Sequence, residues 1–447
     1  MEKMPRGIWF IVSNEFAERF SYFCMRTILV VFMTQYLQDQ NGNLAVMSKE
    51  DARGWYHMFV STNYFFPILG SLVADIFWGK YKTILLFSLF YCAGHACLFM
   101  DNTRLGLALG LGLIALGSGG IKPSVSSNMG DQFPPEKKHL LDKIFAIFYI
   151  AINIGALLSA IISPILLKVF GPNVAFGFPG ALMFLATMIF YAGNKRYTKI
   201  PPVGWKQYRK DVFSPAGKKA ISSLAVLYIF VSVYWALHDQ GGGALILQAE
   251  HLNRVVDLRF WIFQYDWLRF ELLAPQIKAS NPIFFLIFAP IFTAYVYPFL
   301  AKYTTVTLLR KMFVGMLTGV IAFALLAIVE WKIQAGQHPG IVWQLWVYLF
   351  ITFGEILLSI TGLHFSYTQA PNSMKSFIMG MWLLTYSLGN LFAAAVNFVS
   401  KYDPWGILQG ANYYWFFAII MFVTAIGFIF YSRRYKEECY LQPSASH

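Results

Sequence analysis

Twelve apolar stretches recur along the 447-residue chain, and each is long enough to cross a bilayer as a helix. A helix rises about 1.5 Å per residue, so about 20 apolar residues cross roughly 30 Å of hydrocarbon. Only 13% of the residues are charged and 57% are hydrophobic, which excludes an ordinary soluble domain. The sequence therefore predicts an all-α integral membrane protein without a soluble domain. The predicted spans are residues 7–37, 52–77, 82–100, 104–128, 143–168, 174–194, 218–248, 280–301, 311–331, 341–366, 374–398 and 411–432.

The longest basic connection, residues 195–217, separates six predicted spans from six. We therefore expect an N-terminal six-helix bundle over 1–194, a cytoplasmic linker, a C-terminal six-helix bundle over 218–432 and a cytoplasmic tail over 433–447. Two such halves would enclose a central cavity. One charged and aromatic segment, residues 249–280, is predicted as an outward-facing loop with an interfacial helix.

The distribution of lysine and arginine predicts the orientation in the membrane. With a cytoplasmic N-terminus, 22 of the 35 basic residues fall on the cytoplasmic side and ten on the other. The remaining three, Arg19, Arg26 and Lys122, lie inside spans, so Lys122 is the only lysine predicted within one. Both termini should be cytoplasmic, in a plasma membrane or a bacterial inner membrane. The net charge of +13 then reflects topology and attraction to anionic lipid, and no nucleic-acid-binding motif accompanies it.

The positions of the cysteines bear on disulfide and zinc binding, and the first span bears on whether a leader is cleaved. Cys24, Cys92 and Cys97 lie in predicted spans and Cys439 in the tail, so we expect neither a structural disulfide nor a zinc site. The first span is too long and too charged for a cleaved secretory leader, and we expect it to remain as a helix.

The first span carries charge where charge is most costly. Glu15, Glu18 and Arg19 share one helical face at the i, i+3 and i+4 positions, so they must face protein or water. Arg19 can neutralise Glu15, and Lys122 of the fourth span is the predicted partner of the surplus carboxylate. Such a set can exchange protons, since protonating one carboxylate releases the lysine. The alternative is a static network that only fixes helix register.

Further charged and aromatic residues indicate a binding cavity. The planar guanidinium of Arg26, two turns beyond Arg19, suits bidentate binding of a carboxylate. Glu355, deep in the tenth span with Ser359 one turn on, is the natural counter-charge for an ammonium group. The candidate aromatic walls are Tyr22, Tyr64, Tyr149 and Trp382.

Two residues are predicted near the outer entrance. Asp239 lies near the outer end of the seventh span, and His57 lies near the outer start of the second. A pair between them would close the entrance and titrate near neutral pH. An interfacial histidine that only extends toward water is the alternative for His57.

Several motifs, in order along nearly the whole chain, resemble the proton-coupled oligopeptide transporter family (POT/PTR) of the major facilitator superfamily. "NEFAERFSYF" resembles the family's ExxERF(x)Y pattern in the first helix, and "PILGSLVADIFWGKYKTI" resembles its cytoplasmic gating loop, with Asp75. "GSGGIKPSVSSNMGDQF" and "FAIFYIAINIGALLS" resemble the fourth-helix lysine motif and the FYxxINxGS signature. "WALHDQGG", "SNPIFF" and "TGLHFSYTQAPNSMKSFIMGMWLLTYSLGN" extend the likeness through the C-terminal half.

The resemblance implies a major facilitator fold and a role for most candidate residues. Proton coupling would fall to Glu15, Glu18 and Arg19 with Lys122, and to His57, which is implicated in proton transfer in the animal branch. Arg26 and Lys122 would bind the peptide carboxylate, and Glu355, with Asn281 nearby, would bind its amine. Tyr22, Tyr64 and Trp382 would line the pocket, and Asp239 would contribute to the outer gate.

Two positions depart from the family pattern. His364 stands where animal members usually carry glutamate in the TGLEFSY motif, and Cys24 replaces a common glycine. Between spans nine and ten only "WKIQAGQHPG" stands in place of a large extracellular domain, so a twelve-helix core is expected.

The sequence thus predicts H⁺-coupled symport of di- and tripeptides by alternating access, driven by the proton gradient without a cofactor. The expected partners are short peptides, protons and bilayer lipid, and the expected functional unit is a monomer. One alternative keeps the fold and carries nitrate or another small anion. The other is a membrane-embedded enzyme or receptor that uses Glu15, Glu18 and His57 as metal ligands or acid/base groups, although these residues lie at different heights and no catalytic motif appears.

Overall fold

The computed structural model of the chain describes residues 5, 7–133, 141–202, 204–257, 259, 265–266, 269–305, 307–368 and 375–435. Two residues singled out above, Tyr149 and His364, lie in helices, but their side chains are outside the described part of the chain. Cys439 is also outside it.

Five long helices make up the first half of the chain. Polar residues cap their starts, as where Ser48 accepts a hydrogen bond from the backbone N–H of Asp51. A π-helical segment, Val73–Trp78, prolongs the second helix almost to the third. The helices are α1 (Ile8–Gln35), α2 (Lys49–Leu72), α3 (Lys80–Met100), α4 (Arg104–Asp131) and α5 (Leu141–Ala192).

The 52 residues of α5 are too many for one membrane crossing. The chain reverses at Gly171, whose φ of 80° is accessible to glycine at no steric cost. On either side of this glycine the chain returns to the same residue of α1. A Cβ on Gly155 would lie 3.2 Å from the backbone nitrogen of Phe20, and the rings of Phe178 and Phe20 are 6.2 Å apart between centroids. The two arms of α5 therefore lie side by side as two passes.

The second half contains more interrupted helices. Short 3₁₀ turns (Asn194–Arg196, Asp239–Gly242 and Ala274–Ala279) and π-helical segments (Phe292–Val296 and Ile356–Ile360) lie between or within its passes. Its helices are α6 (Trp205–Val212), α7 (Pro215–His238), α8 (Ala244–Ala249), α9 (Ser280–Ile291), α10 (Tyr297–Ala301), α11 (Leu308–Gln334), α12 (Val342–Glu355), α13 (Thr361–Thr368), α14 (Lys375–Ser400) and α15 (Gly410–Arg434).

Twelve passes follow from these helices. Ten helical segments of the described chain are long and apolar enough to cross a membrane, and one of them, residues 150–192, holds both arms of α5. The helix α1 is not among the ten because its four charged residues interrupt the apolar run. The predicted number and placement of the spans are confirmed.

The helices pack as two halves. In the first, α1 packs on α5, and α4 packs on α2 and α3; in the second, α11 contacts α7, α12 and α15. The halves meet where α2 contacts α14 and where α5 contacts α9. This arrangement is the predicted fold of two six-helix bundles.

The two ends of the bundle differ, and we name them by their contents. The terminal side is the end where α1 begins and α15 ends, and the distal side is the opposite end. On the distal side β1 (Val255–Asp257) pairs with β2 (Arg269–Glu271) as an antiparallel hairpin. The prediction that residues 249–280 form a loop with an interfacial helix is wrong at its end, because the apolar turn Ala274–Ala279 already begins the next pass.

Small residues bring α4 close to α2. A Cβ on Gly70 would lie 2.3 Å from the carbonyl oxygen of Gly119, so no larger side chain fits there without displacing the backbone. Lys122 follows one turn after Gly119. The close approach therefore places Lys122 near the face of α2 that carries Tyr64.

Candidate functional site

A cavity of about 770 Å³ lies between the two halves. It reaches from Arg26 and Tyr348 at its distal end to Asp75 and Lys80 near the terminal side. Glu15, Glu18, Tyr22 and His57 are buried and do not line it. The predicted site residues that line it are Arg19, Arg26, Tyr64, Asp75, Lys122, Asp239, Asn281, Glu355, Ser359 and Trp382.

Beside this cavity Glu15, Glu18 and Arg19 form what we call the carboxylate cluster. Arg19 Nε lies 2.6 Å from Glu15 Oε1 and 3.3 Å from Glu18 Oε2. Ser118 Oγ donates to Glu18 Oε1 at 3.2 Å. One guanidinium thus serves two carboxylates, and one oxygen of each, Oε2, lacks a hydrogen bond among the described residues. Such a cluster has room to accept a proton.

Lys122 does not complete the cluster as predicted. Its Nζ lies over two tyrosine rings, 4.2 Å from the centroid of Tyr22 and 4.5 Å from that of Tyr64. No described group accepts a hydrogen bond from it. The predicted pair between Lys122 and the surplus carboxylate is therefore wrong for this conformation. Arg19 is one turn from Glu15 on the same helix and takes both carboxylates, while aromatic faces attract the ammonium.

A second charged group closes the distal end of the cavity. Arg26 Nη2 lies 2.5 Å from Asp239 Oδ1, and Arg26 Nε donates to the hydroxyl of Tyr56 at 2.7 Å. Arg26 belongs to α1 and Asp239 follows α7, so this buried ion pair joins the two halves. The guanidinium is already occupied by a carboxylate, so a peptide carboxylate would have to compete with Asp239 for it.

His57 is joined to Asp239 only through Asn390. His57 Nδ1 lies 2.7 Å from Asn390 Oδ1, and Asn390 Nδ2 donates to Asp239 Oδ2 at 2.5 Å. The predicted direct Asp239–His57 pair is wrong, because Arg26 holds the carboxylate and the amide of α14 stands between the two. We call Arg26, Tyr56, His57, Asp239 and Asn390 the distal gate.

The gate continues as a seam between α2 and α14. Ser61 Oγ lies 3.1 Å from Ser387 Oγ, and the rings of Tyr64 and Tyr386 stack at 4.7 Å. Nearer the distal surface, a Cβ on Gly54 would lie 2.6 Å from the ring of Phe398. The halves are therefore in contact from the distal surface to the cavity.

Ion pairs and hydrogen bonds outside the membrane passes also join the halves on the distal side. Lys401 Nζ donates to Asp51 Oδ2 at 2.7 Å, and this hydrogen bond raises the pKa of Lys401. Gln35 Nε2 donates to Glu250 Oε1 at 2.8 Å, while partial burial raises the pKa of Glu250. These contacts rim the closed distal end.

The C-terminal half presents a carboxylate to the cavity. Asn281 Nδ2 donates to Glu355 Oε2 at 2.8 Å and lies 3.1 Å from Thr352 Oγ1. His238 Nε2 lies 3.3 Å from the same carboxylate oxygen, and its Nδ1 lies 3.4 Å from Asp239 Oδ1. The imidazole thus stands between the carboxylate of the cavity and that of the gate.

Aromatic side chains form the rest of the wall. Tyr386 stacks on Trp235 at 3.7 Å, and Trp382 lies edge-on to Trp235 at 6.4 Å. The prediction that Tyr22 lines the pocket is wrong for this conformation, because Tyr22 is buried under Lys122, where its hydroxyl accepts a hydrogen bond from Asn63 at 3.2 Å. These rings provide apolar surface beside the charged groups.

At the terminal mouth of the cavity, Lys80 Nζ pairs with Asp131 Oδ2 at 2.6 Å. Asp75, predicted to act in gating, lines the cavity next to this pair. The π-helical segment Val73–Trp78, α3 and α4 thus place three charges around the mouth.

Sequence reasoning missed four residues of the site: Tyr56, His238, Lys278 and Asn390. His238 and Tyr56 adjoin residues that were singled out, and the "HD" dipeptide offered a signal. Asn390 gave none. The prediction that Lys122 is the only lysine inside a span is wrong, because Lys278 begins a pass and lines the cavity. The charged segment before Lys278 concealed the start of that pass.

Comparisons with known proteins identify relatives of the whole arrangement. A family model described as the POT family matches residues 81–215 and 205–416. Solute carrier family 15 member 2 of Rattus norvegicus is 36% identical over 75% of this chain, which spans about half (50%) of that protein. A crystal structure of an auto-inhibited POT family peptide transporter superposes with a TM-score of 0.86 at 32% identity and covers 98% of this chain and 99% of its own. The structure of the POT family transporter PepTSo superposes with a TM-score of 0.84 at 32% identity and covers 97% of this chain and 99% of its own.

Proposed function

The chain belongs to the POT family, and from this premise we propose that it is a secondary active transporter, not an enzyme, that carries di- and tripeptides together with protons. The single observation that carries the proposal is the charge placement in the cavity. The ammonium of Lys122, which has no anionic partner among the described residues, lies on the N-terminal half, and a carboxylate, Glu355, lies on the C-terminal half. A zwitterionic peptide has the complementary charges at its two ends.

Binding of a peptide between these charges joins the two halves. Its carboxylate binds Lys122, and after the gate opens it also reaches Arg26. Its amine binds Glu355, which Asn281 orients. Tyr64, Ser359 and Trp382 surround the backbone and side chains, as Tyr149 would by its motif. Contacts mainly to the peptide termini leave room for many side chains.

Proton coupling is assigned to the carboxylate cluster, with His57 as a second acceptor. When one carboxylate is protonated, Arg19 neutralises the other and Lys122 remains available to the peptide. When the proton leaves, the cluster regains a net negative charge that attracts Lys122 and weakens its hold on the peptide. Glu15 Oε2 and Glu18 Oε2, which have no hydrogen-bond partner among the described residues, support this exchange.

The cavity and the closed gate support alternating access. The distal end is sealed by the gate and the seam, while the cavity extends to Asp75 near the terminal side. With both termini in the cytoplasm, as the basic loops predict, this is an inward-facing state. The transporter works as a monomer in the bilayer, uses the proton gradient and needs no cofactor.

Both alternative functions fit the site less well. Glu355 would repel nitrate or another small anion from the cavity, so the charge placement favours a zwitterion. The groups of a membrane enzyme or metal site are not together: Glu15 and Glu18 bind Arg19, whereas His57 bonds to Asn390 on α14.

Uptake into liposomes tests the proposal. The purified protein is reconstituted, and labelled di-alanine is added outside with an inward proton gradient. We expect accumulation that collapses with a protonophore. Glu18→Gln should abolish accumulation driven by the gradient but retain exchange of labelled for unlabelled peptide, because exchange needs no net proton transfer.

A matched control is Glu271→Gln, which removes the same charge from the exposed strand β2. It should leave both assays unchanged. Uptake of nitrate but not of di-alanine would overturn the cargo. Di-alanine uptake that is indifferent to the protonophore would overturn the coupling.

A further inference from the structure

Lys278 has a place in the cavity that the proposed peptide site does not use. It lies in the 3₁₀ turn Ala274–Ala279, at the distal start of the pass that α9 continues. Its side chain lines the cavity, its Nζ is buried, and no described group accepts a hydrogen bond from it. A buried ammonium without a partner is costly, so inside a membrane pass it marks a candidate binding site.

The charges already present in the cavity wall leave Lys278 without an anion. Among the described lining residues, the ammonium groups of Lys122 and Lys278 are the two cations that no carboxylate pairs. A zwitterionic peptide supplies one carboxylate and one ammonium, so it can pair with Lys122 and Glu355 but leaves Lys278 without an anion. The other lining lysine and arginine side chains are paired, Arg26 with Asp239, Arg19 with Glu15 and Glu18, and Lys80 with Asp131. His238 contacts Asp239 and Glu355 and is not counted, because it is charged only when protonated.

The neighbours of Lys278 leave its charge available. Arg26 and Asp239 are the charged groups that interact with it electrostatically, and they neutralise each other at 2.5 Å. Their net effect on a bound anion is small. An anion at Lys278 therefore meets a positive charge that the neighbouring ion pair does not cancel.

Lys278 lies beside the amine end of the proposed peptide site. It is three residues before Asn281, so the two side chains project from the same face, one turn apart. Asn281 holds Glu355 at 2.8 Å. Lys122, by contrast, lies on α4 in the other half. The group of a peptide that comes nearest to Lys278 is thus the side chain of its first residue.

We propose that Lys278 is a second anion site, which binds the side-chain carboxylate of a peptide whose first residue is acidic. The inference rests on the proposed peptide transport and names a preferred class of cargo. Such a peptide brings two carboxylates and one ammonium, which match Lys122, Lys278 and Glu355 one to one. A neutral first residue leaves the ammonium buried without a partner.

Competition for di-alanine uptake tests this site. Glu-Ala, Gln-Ala and Ala-Glu compete with labelled di-alanine in proteoliposomes at an external pH of about 6.5, where a glutamate side chain with a pKa of about 4.3 is ionised. Gln-Ala has nearly the same shape as Glu-Ala without the charge. A charge-assisted hydrogen bond predicts that Glu-Ala inhibits at about tenfold lower concentration than Gln-Ala. Ala-Glu should show less of this advantage.

Substitution of the lysine assigns the preference to its charge. Lys278→Gln should bring the ratio of Glu-Ala to Gln-Ala inhibition close to one, and Lys278→Arg should keep the advantage. Lys168→Gln is the matched control, since it removes an exposed lysine outside the cavity and should keep the wild-type ratio. Lys278→Met replaces Lys278→Gln if the latter does not reach the membrane.

The outcomes separate this inference from the function on which it rests. Absence of di-alanine uptake by the wild type overturns peptide transport itself. Normal di-alanine uptake with equal inhibition by Glu-Ala and Gln-Ala overturns the role of Lys278 alone. A wild-type preference that persists in Lys278→Gln also overturns it, because the charge then resides elsewhere.

Discussion

The distal gate and the carboxylate cluster are both buried and both charged, but their bonds run in different directions. Every gate contact between Arg26 and Asp239, or between His57 and Asn390, joins one half to the other. The bonds of the carboxylate cluster all remain within the N-terminal half. The gate must therefore break when the halves separate, whereas the cluster can change its protonation while the halves stay in place.

The distal gate and the carboxylate cluster also differ in how completely their polar atoms are hydrogen-bonded. Both oxygens of Asp239 have partners, one in Arg26 and the other in Asn390. Glu15 Oε2, Glu18 Oε2 and Lys122 Nζ have no hydrogen-bond partner among the described residues. A fully bonded network holds one conformation, and a partly bonded one is prepared to exchange partners. We infer that the distal gate keeps the distal side closed, whereas the carboxylate cluster exchanges partners when its protonation changes.

Locking the gate should give the largest effect. The hydroxyls of Ser61 and Ser387 are 3.1 Å apart, so Ser61→Cys with Ser387→Cys is placed for a disulfide across the seam. We expect the oxidised double variant to lose almost all di-alanine uptake and to regain it with a reductant. Each single-cysteine variant should be indifferent to oxidation. Full uptake by the cross-linked protein would show that the seam does not open during transport.

Breaking the carboxylate cluster should cost stability without opening the gate. Arg19→Ala leaves two buried carboxylates without their counter-ion, and we expect a loss of about 3–5 kcal/mol. Thermal unfolding of the detergent-purified protein measures it. The deficit should shrink in acid, because a proton on Glu15 or Glu18 removes their repulsion. Arg254→Ala, which removes an arginine from an exposed pair with Glu271, is the control.

Breaking the gate should instead open the distal side. Asp239→Asn keeps the shape of the side chain and removes the charge that binds Arg26. With the native cysteines replaced and Ser61→Cys as a reporter, we expect labelling by an added maleimide to rise by about tenfold or more. Arg19→Ala in the same background should leave labelling unchanged. Equal labelling of Asp239→Asn and its parent would mean that the seam holds without the ion pair.

The rim pair between Lys401 and Asp51 should matter least. Lys401→Gln is expected to leave uptake unchanged and to lower the unfolding temperature only slightly, because both side chains are solvated. The hydrogen bond to Asp51 raises the pKa of Lys401, so its contribution is complete below the ordinary lysine pKa. It is lost as the pH rises through the raised value. A difference from wild type that grows with alkaline pH would contradict this.

The fold was predictable because membrane passes leave a strong local signal. Apolar runs placed all twelve helices, including both arms of α5 around Gly171. Pairing was harder, because it depends on which of several like charges meet between helices distant in sequence. Arg19 took both carboxylates and left Lys122 on aromatic rings, and Asn390 separated His57 from Asp239. The spacing of these residues along the chain predicts neither arrangement.

The amide of Asn390 also decides how His57 can carry its protons. Its nitrogen donates to Asp239, so its oxygen faces His57 Nδ1 and requires a hydrogen there. The oxygen of Gln240 lies 3.2 Å from Nε2, so only an imidazolium would donate to both amides in this arrangement. The neutral ring needs the Gln240 amide to turn over. Because Tyr413 also donates to that amide oxygen at 3.1 Å, the loss of a proton from His57 on α2 changes the hydrogen bond of the Tyr413 hydroxyl on α15 without moving either helix.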